Sequence, residues 1–115
     1  MGRKTSAIVT RTVTDKYTLY VVPPRNRAMW ELIYIASLAS NDSPTVYWYD
    51  ASTTTEYVIL GGKNLGVGEY LLLNGATVVL EEGDEIRVKN STTNTVTYIV
   101  TVELEQNIAV TYHQN

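Results

Sequence analysis

The sequence predicts an all-β protein, an antiparallel two-sheet β-sandwich of jelly-roll type, and three observations carry that prediction. Apolar and polar residues alternate with a period of two along most of the chain, which is the pattern of half-buried strands. Thr and Val are abundant, and nine Tyr and two Trp stand beside no Phe, a choice that suits a pleated, half-buried surface better than a helix. Turn signals built from Gly, Pro, Asn and Asp recur at roughly the 8–12-residue spacing of sandwiches and barrels.

The first strand is expected over residues 7–13, read as Ala-Ile-Val-Thr-Arg-Thr-Val, and the second over 17–22 after an Asp15-Lys16 turn. Pro23-Pro24 stops it, because proline cannot donate to a ladder. Residues 29–38 are the most apolar stretch; β-branched and aromatic residues fill its middle and no cap frames it, so a central strand is expected rather than a helix. A polar turn at 41–44 leads to the aromatic strand 46–49, and a Ser-Thr link leads to 56–60. The Gly-rich loop 61–68 precedes a strand at 70–73, and Asn74-Gly75, a favoured hairpin pair, introduces 77–80. Turns at 81–84 and 90–94 bracket the strand 86–89, and 95–104 is the last long strand. Eight or nine short strands result, and eight favour a jelly roll.

A chain of 115 residues suits one domain, 1–115, with one core. Without Cys there is neither a disulfide scaffold nor a thiolate zinc site. A net charge of −3 argues against a phosphate backbone as the main partner. Arg3, Lys4, Arg11 and Lys16 nevertheless gather near the start, and residues 1–5 read as a mobile basic arm, 106–115 as an edge strand or tail. The Gly2/Ser6 spacing matches the loose myristoylation pattern, a cheap match that is discounted. No signal-peptide core and no apolar run of about 18 residues is present, so a soluble protein made in the cytoplasm, with no membrane partner, is expected.

The inventory for catalysis is thin, and a non-enzyme without cofactor or metal is expected. His113 is the single histidine and is the third residue from the end, a poor place for a triad or metal cluster. Lys63 in the Gly-rich loop is followed by Asn64-Leu65 rather than by the Ser/Thr and helix of a phosphate loop, so a flexible inter-strand loop is expected. Glu81, Glu82, Asp84 and Glu85 read as a solvated hairpin tip rather than paired catalytic carboxylates or a calcium site. Glu103 and Glu105 share one face of the last strand.

Three stretches carry a resemblance. Leu19-Tyr20-Val21-Val22-Pro23-Pro24 runs through Arg25-Asn26-Arg27-Ala28 into Trp30-Glu31-Leu32-Ile33-Tyr34-Ile35-Ala36. Glu69-Tyr70-Leu71-Leu72-Leu73 is followed by Val78-Val79-Leu80-Glu81-Glu82-Gly83-Asp84-Glu85-Ile86-Arg87-Val88, and the last strand ends Val102-Glu103-Leu104. Over about residues 5–105 this resembles the small structural proteins of tailed bacteriophages, which share the Val-Pro turn and the Leu-x-x-Gly-Asp-x-Ile stretch. Pro24 departs from the small residue followed by Gly expected there. Cupins share the last motif, but their metal needs several His. The resemblance implies a virion protein, first a capsid decoration (cement) protein that self-associates as a trimer and bridges major capsid protein subunits. Tyr47, Trp48 and Tyr49 are the expected interface, with Arg3 and Lys4 on the arm ordering against a neighbour. A tail, neck or baseplate component is the alternative, and a carbohydrate- or receptor-binding jelly roll is the reading from another class.

Overall fold

The computed structural model describes residues 3–37, 41–74 and 78–106. They form nine strands: β1 Arg3–Arg11, β2 Tyr17–Val21, β3 Asn26–Ser37, β4 Thr45–Asp50, β5 Thr55–Gly61, β6 Tyr70–Asn74, β7 Val79–Leu80, β8 Glu85–Lys89 and β9 Val96–Gln106. One sheet runs β1-β9-β3-β6, with β7 also paired to β3, and the other runs β2-β8-β4-β5. Every pairing is antiparallel. This is the double Greek-key order of a jelly roll, the architecture that the sequence predicts.

Parity along the strands explains the layers. On β9, Val96, Tyr98, Val100, Val102 and Leu104 are buried while the residues between them are half-exposed. Its neighbours repeat the pattern, so Ala28, Trp30, Ile33 and Ile35 of β3 join the same core. The facing sheet contributes Leu19, Val46, Ile86 and Val88. Burying a side chain of this size contributes roughly 1.5–3 kcal/mol, so these alternating rows are the main source of stability. A bulge between Trp30 and Leu32 lifts the extra residue, Glu31, out of the ladder.

Two buried carboxylates close the sandwich. Asp84 accepts from the backbone N–H of Ala51 (3.0 Å) and Glu81 (3.0 Å) and from Trp48 Nε1 (3.2 Å), tying the turn before β8 to β4 and to the residue that follows it. Gly83 precedes it with φ of 86°, a left-handed conformation open to glycine, and a Cβ there would meet that of Ala51 at 3.3 Å. Asp42 accepts from the N–H and hydroxyl of both Ser91 and Thr92, at 2.6–3.2 Å. The Tyr98 hydroxyl donates to Asn90 Oδ1 (2.6 Å), and burial, with the Asp42 charge adding to it, pushes that hydroxyl above its ordinary pKa. Buried polar groups of this kind are affordable only because each is bonded.

Four expectations shift. Residues 3–5 are not a free arm: Arg3, Lys4 and Thr5 pair with Leu104, Glu103 and Val102, because the inward-outward alternation of β1 begins at Arg3. Asp84 is 1% exposed, so the acidic turn is not wholly solvated. The Gly-rich loop is tethered, with Leu65 buried and its N–H and C=O both bonded to Asp42. The basic turn is tighter than expected, since β3 already starts at Asn26. Arg25 takes φ of 63°, a left-handed conformation that glycine adopts more readily. His113 and residues 107–115 lie outside the described residues.

Two substitutions test this account by urea unfolding. Asp84→Asn presents an amide to three N–H donors and is expected to destabilise the protein by about 1–3 kcal/mol. Arg25→Gly relieves a left-handed backbone that costs roughly 1–2 kcal/mol; the added freedom of the unfolded chain offsets part of this, leaving a net gain under about 1 kcal/mol.

Candidate assembly interface

The outer face of the β1-β9-β3-β6 sheet carries an apolar row across four strands. The register places Ile8 opposite Ile99, Ile99 opposite Tyr34, and Tyr34 opposite Leu72. Ile8 is 67% and Leu72 47% exposed, and Tyr34 stacks on Tyr70 at 5.7 Å. Hydroxyl pairs frame the row at its β1–β9 end: Ser6 with Thr101 at 2.8 Å on one side, Thr10 with Thr97 at 2.9 Å on the other. Such pairs satisfy each other without charge, so nothing beside Ile8 and Ile99 demands a strong hydration shell. No described element covers this face. A flat apolar band of this kind is matched in shape by another flat surface.

Farther along the same face, polarity returns. Lys4 Nζ lies 3.0 Å from Glu31 Oε1, the residue that the β3 bulge brings to the surface. The bond to Glu31 raises the Lys4 pKa, and the reciprocal bond lowers that of Glu31. Arg27 pairs with Glu105 at 3.0 Å. Arg3 sits beside Asn26, Leu104 and Gln106 around a recess of about 210 Å³.

The expected site Tyr47, Trp48 and Tyr49 lies on the other sheet, in β4. All three are half-buried. Trp48 points inward, against the core and toward Asp84. Tyr47 and Tyr49 face outward, as the alternation requires, but each is capped by a cation. Lys16 Nζ is 4.4 Å from the Tyr47 ring centre, and the Arg87 guanidinium carbon is 3.9 Å from that of Tyr49. Glu56 receives both cations, Lys16 at 2.6 Å and Arg87 at 3.1 Å, and Glu85 holds Arg87 at 2.7 Å. Burial alone would raise the Glu56 pKa, but the bonds from Lys16 and Arg87 outweigh it and leave the group below its ordinary value. Arg3 and Lys4 are therefore not gathered with Tyr47 and Tyr49: the structure distributes these five residues over two sheets. The sequence does contain the apolar row, as Ile8, Tyr34, Leu72 and Ile99 at alternate positions, but only the cross-strand register aligns them.

No three His, Asp or Glu side chains gather in metal-binding reach among the described residues. Asp42 and Asp84 already accept from several N–H and O–H donors, which anchor each carboxylate within the fold. The cleft beside the Gly-rich loop, about 410 Å³, is lined by Lys63, Asn64, Leu65, Gly68, Glu69 and Tyr70, and it leads into β6 rather than a helix.

No protein-family model matches the chain, and no curated protein matches its sequence. Its fold is similar to solved structures. The Drosophila NLP core, whose crystal structure addresses pentamer formation and histone binding, is 19% identical with a TM-score of 0.55, over 89% of this chain and 99% of its own. A structure of infectious bursal disease virus, Gt strain, is 10% identical with a TM-score of 0.47, over 94% of this chain and 34% of the other. A chain of the cyanophage Pam1 capsid asymmetric unit is 17% identical with a TM-score of 0.41, over 89% of this chain and 85% of its own. Viral capsid structures thus stand among the neighbours, and the likeness to the NLP core bears on the fold alone.

The Glu56 network makes a pH prediction. A carboxylate whose folded pKa is depressed contributes stability above its unfolded value and loses it as pH falls through the folded one. The advantage of the native protein over Glu56→Gln is expected to hold at neutral pH and to shrink as pH falls below 4.5, measured by urea midpoints across the range.

Proposed function

We propose that this chain is a non-catalytic structural protein of a tailed-bacteriophage virion, and within that class a capsid decoration protein that bridges neighbouring shell subunits. The observation that carries the reading is the row Ile8, Ile99, Tyr34 and Leu72 on the outer face of one sheet, which no described element covers. An apolar band four strands wide favours a surface laid against it, and burying it across a seam raises the free energy needed to open that seam. The motif resemblance over about residues 5–105 and the jelly-roll strand order support the virion class. A homo-oligomer, first a trimer, presents the band in several copies, so weak single contacts add by avidity. A tail, neck or baseplate position uses the same surface and differs only in its partner.

A second reading comes from the likeness to the NLP core, described for pentamer formation and histone binding. On it the chain forms a ring that binds a basic partner. Glu31, Glu56, Glu85 and Glu105 are already engaged by the chain's own cations, and Asp42 and Asp84 are buried, which weakens an acidic docking surface.

Cryo-electron microscopy of purified particles tests the first reading. Density in many symmetric copies on the shell supports decoration, density confined to the tail or neck moves the protein there, and absence from the particle removes the virion class. Binding of the full chain to empty capsids gives the residue-level test. Each fully buried aliphatic side chain contributes roughly 1.5–3 kcal/mol, so Ile8→Lys with Leu72→Lys is expected to weaken binding at least tenfold. Both sites are exposed, so the thermal midpoint is expected to stay within about 4 °C of the native value, a shift that corresponds to less than about 1 kcal/mol.

A further inference from the structure

The cleft beside the Gly-rich loop is built to hold its shape. Leu65 and Asp42 exchange backbone bonds at 2.7 and 3.0 Å, and Leu65 is buried at the cleft's base. The Gly68 N–H donates to the Ser37 carbonyl at 2.9 Å, and the Ser37 N–H donates to that of Glu69 at 3.0 Å. Gly68 takes φ of 76°, a left-handed turn that glycine makes without strain. A ligand therefore meets a preformed wall and does not have to order one.

Tyr70 supplies an aromatic side to this cleft. It stays 61% exposed although Tyr34 stacks against its ring, with 29° between the planes, so the ring is braced and still open. Three polar side chains on the cleft have capacity to spare. Lys63 pairs with no carboxylate among the described residues. Asn64 Oδ1 takes the Ser43 hydroxyl at 3.4 Å, which leaves its amide hydrogens without a described partner. Glu69 Oε1 accepts from the Gly66 N–H at 2.6 Å, and its second oxygen is left over.

We propose that this cleft binds a neutral carbohydrate: one pyranose unit of a polysaccharide rests its C–H face on Tyr70 while its hydroxyls bond Lys63, Asn64 and Glu69. The mixture of groups selects this ligand. A sugar hydroxyl both donates and accepts, which matches two donor side chains beside one acceptor. A purely apolar ligand would strand Lys63 and Glu69 away from water without partners. A phosphate or an acidic sugar would meet the Glu69 carboxylate as well as the Lys63 ammonium, so its charge gains little. The volume of about 410 Å³ lies within the roughly 300–1,000 Å³ of small-ligand sites. The site stands at the β6 edge of the sheet and does not depend on the virion reading.

Affinity electrophoresis of the full chain tests this, in native gels containing soluble β-glucan, galactan, mannan or polygalacturonate, with mobility referred to a gel without polysaccharide. At least one of the neutral polymers is expected to retard the protein. Tyr70→Ala is expected to weaken the apparent affinity about tenfold, the loss of one aromatic contact, and Tyr70→Trp to keep it. Ile8→Lys, on the far strand of the same sheet, is expected to leave it unchanged. Thermal midpoints check that each variant is folded. Retardation by none of the neutral polymers overturns the proposal, as does equal retardation of the native and Tyr70→Ala proteins. Retardation by polygalacturonate alone, lost in Lys63→Ala and kept in Tyr70→Ala, is simple charge attraction and also overturns it. A loss in Ile8→Lys as large as that in Tyr70→Ala assigns the polymer to the apolar row, and the cleft assignment fails.

Discussion

Strand β9 runs for eleven residues between β1 and β3, and that placement fixes most of what the molecule can do. A residue on a strand enclosed on both sides has two destinations, the core or the outer face, and parity assigns it. Val96, Tyr98, Val100, Val102 and Leu104 go inward, so Thr97, Ile99, Thr101 and Glu103 must go outward. A slip of one residue would bury Glu103 and expose Val102, which makes the register strongly specified. The outer row is thus a consequence of the same ladder that builds the core, and Ile8, Tyr34 and Leu72 align with Ile99 because their strands take their phase from β9 directly or through β3.

The ends of the sandwich are held differently. Asp84 and Asp42 each gather donors from a neighbouring connection, so loops that could fray are fixed to the strands beside them. This gives the Leu-x-x-Gly-Asp stretch a physical meaning: Leu80 is core, Gly83 makes the left-handed turn, and Asp84 ties that turn to Trp48 and the chain after it. It spends polar residues on shape.

Much of the fold was legible in the sequence because a period of two is a local signal. Each predicted strand has a counterpart, and the largest shifts come where one strand's alternation continues beyond the expected start, as at Arg3 and Asn26. The partnership between strands was not legible. Tyr47 and Tyr49 do face outward, yet nothing local shows that Lys16 and Arg87 lie over them, since those cations come from outside the strand. The row from Ile8 to Leu72 is invisible for the same reason, its members being scattered along the chain. Asp84 read as one acid among four neighbours, and only its donors distinguish it.

The two outer faces respond oppositely to the solvent around them. One is bound together by Lys16, Glu56, Arg87 and Glu85, interactions that dissolved ions screen. The other presents Ile8, Ile99, Tyr34 and Leu72, whose removal from water is strengthened by sulfate and phosphate. Ionic composition is therefore a dial with different signs on the two sides of one thin sandwich. Concentrated kosmotropic salt loosens the ionic face while it drives the apolar one toward whatever surface lies nearest.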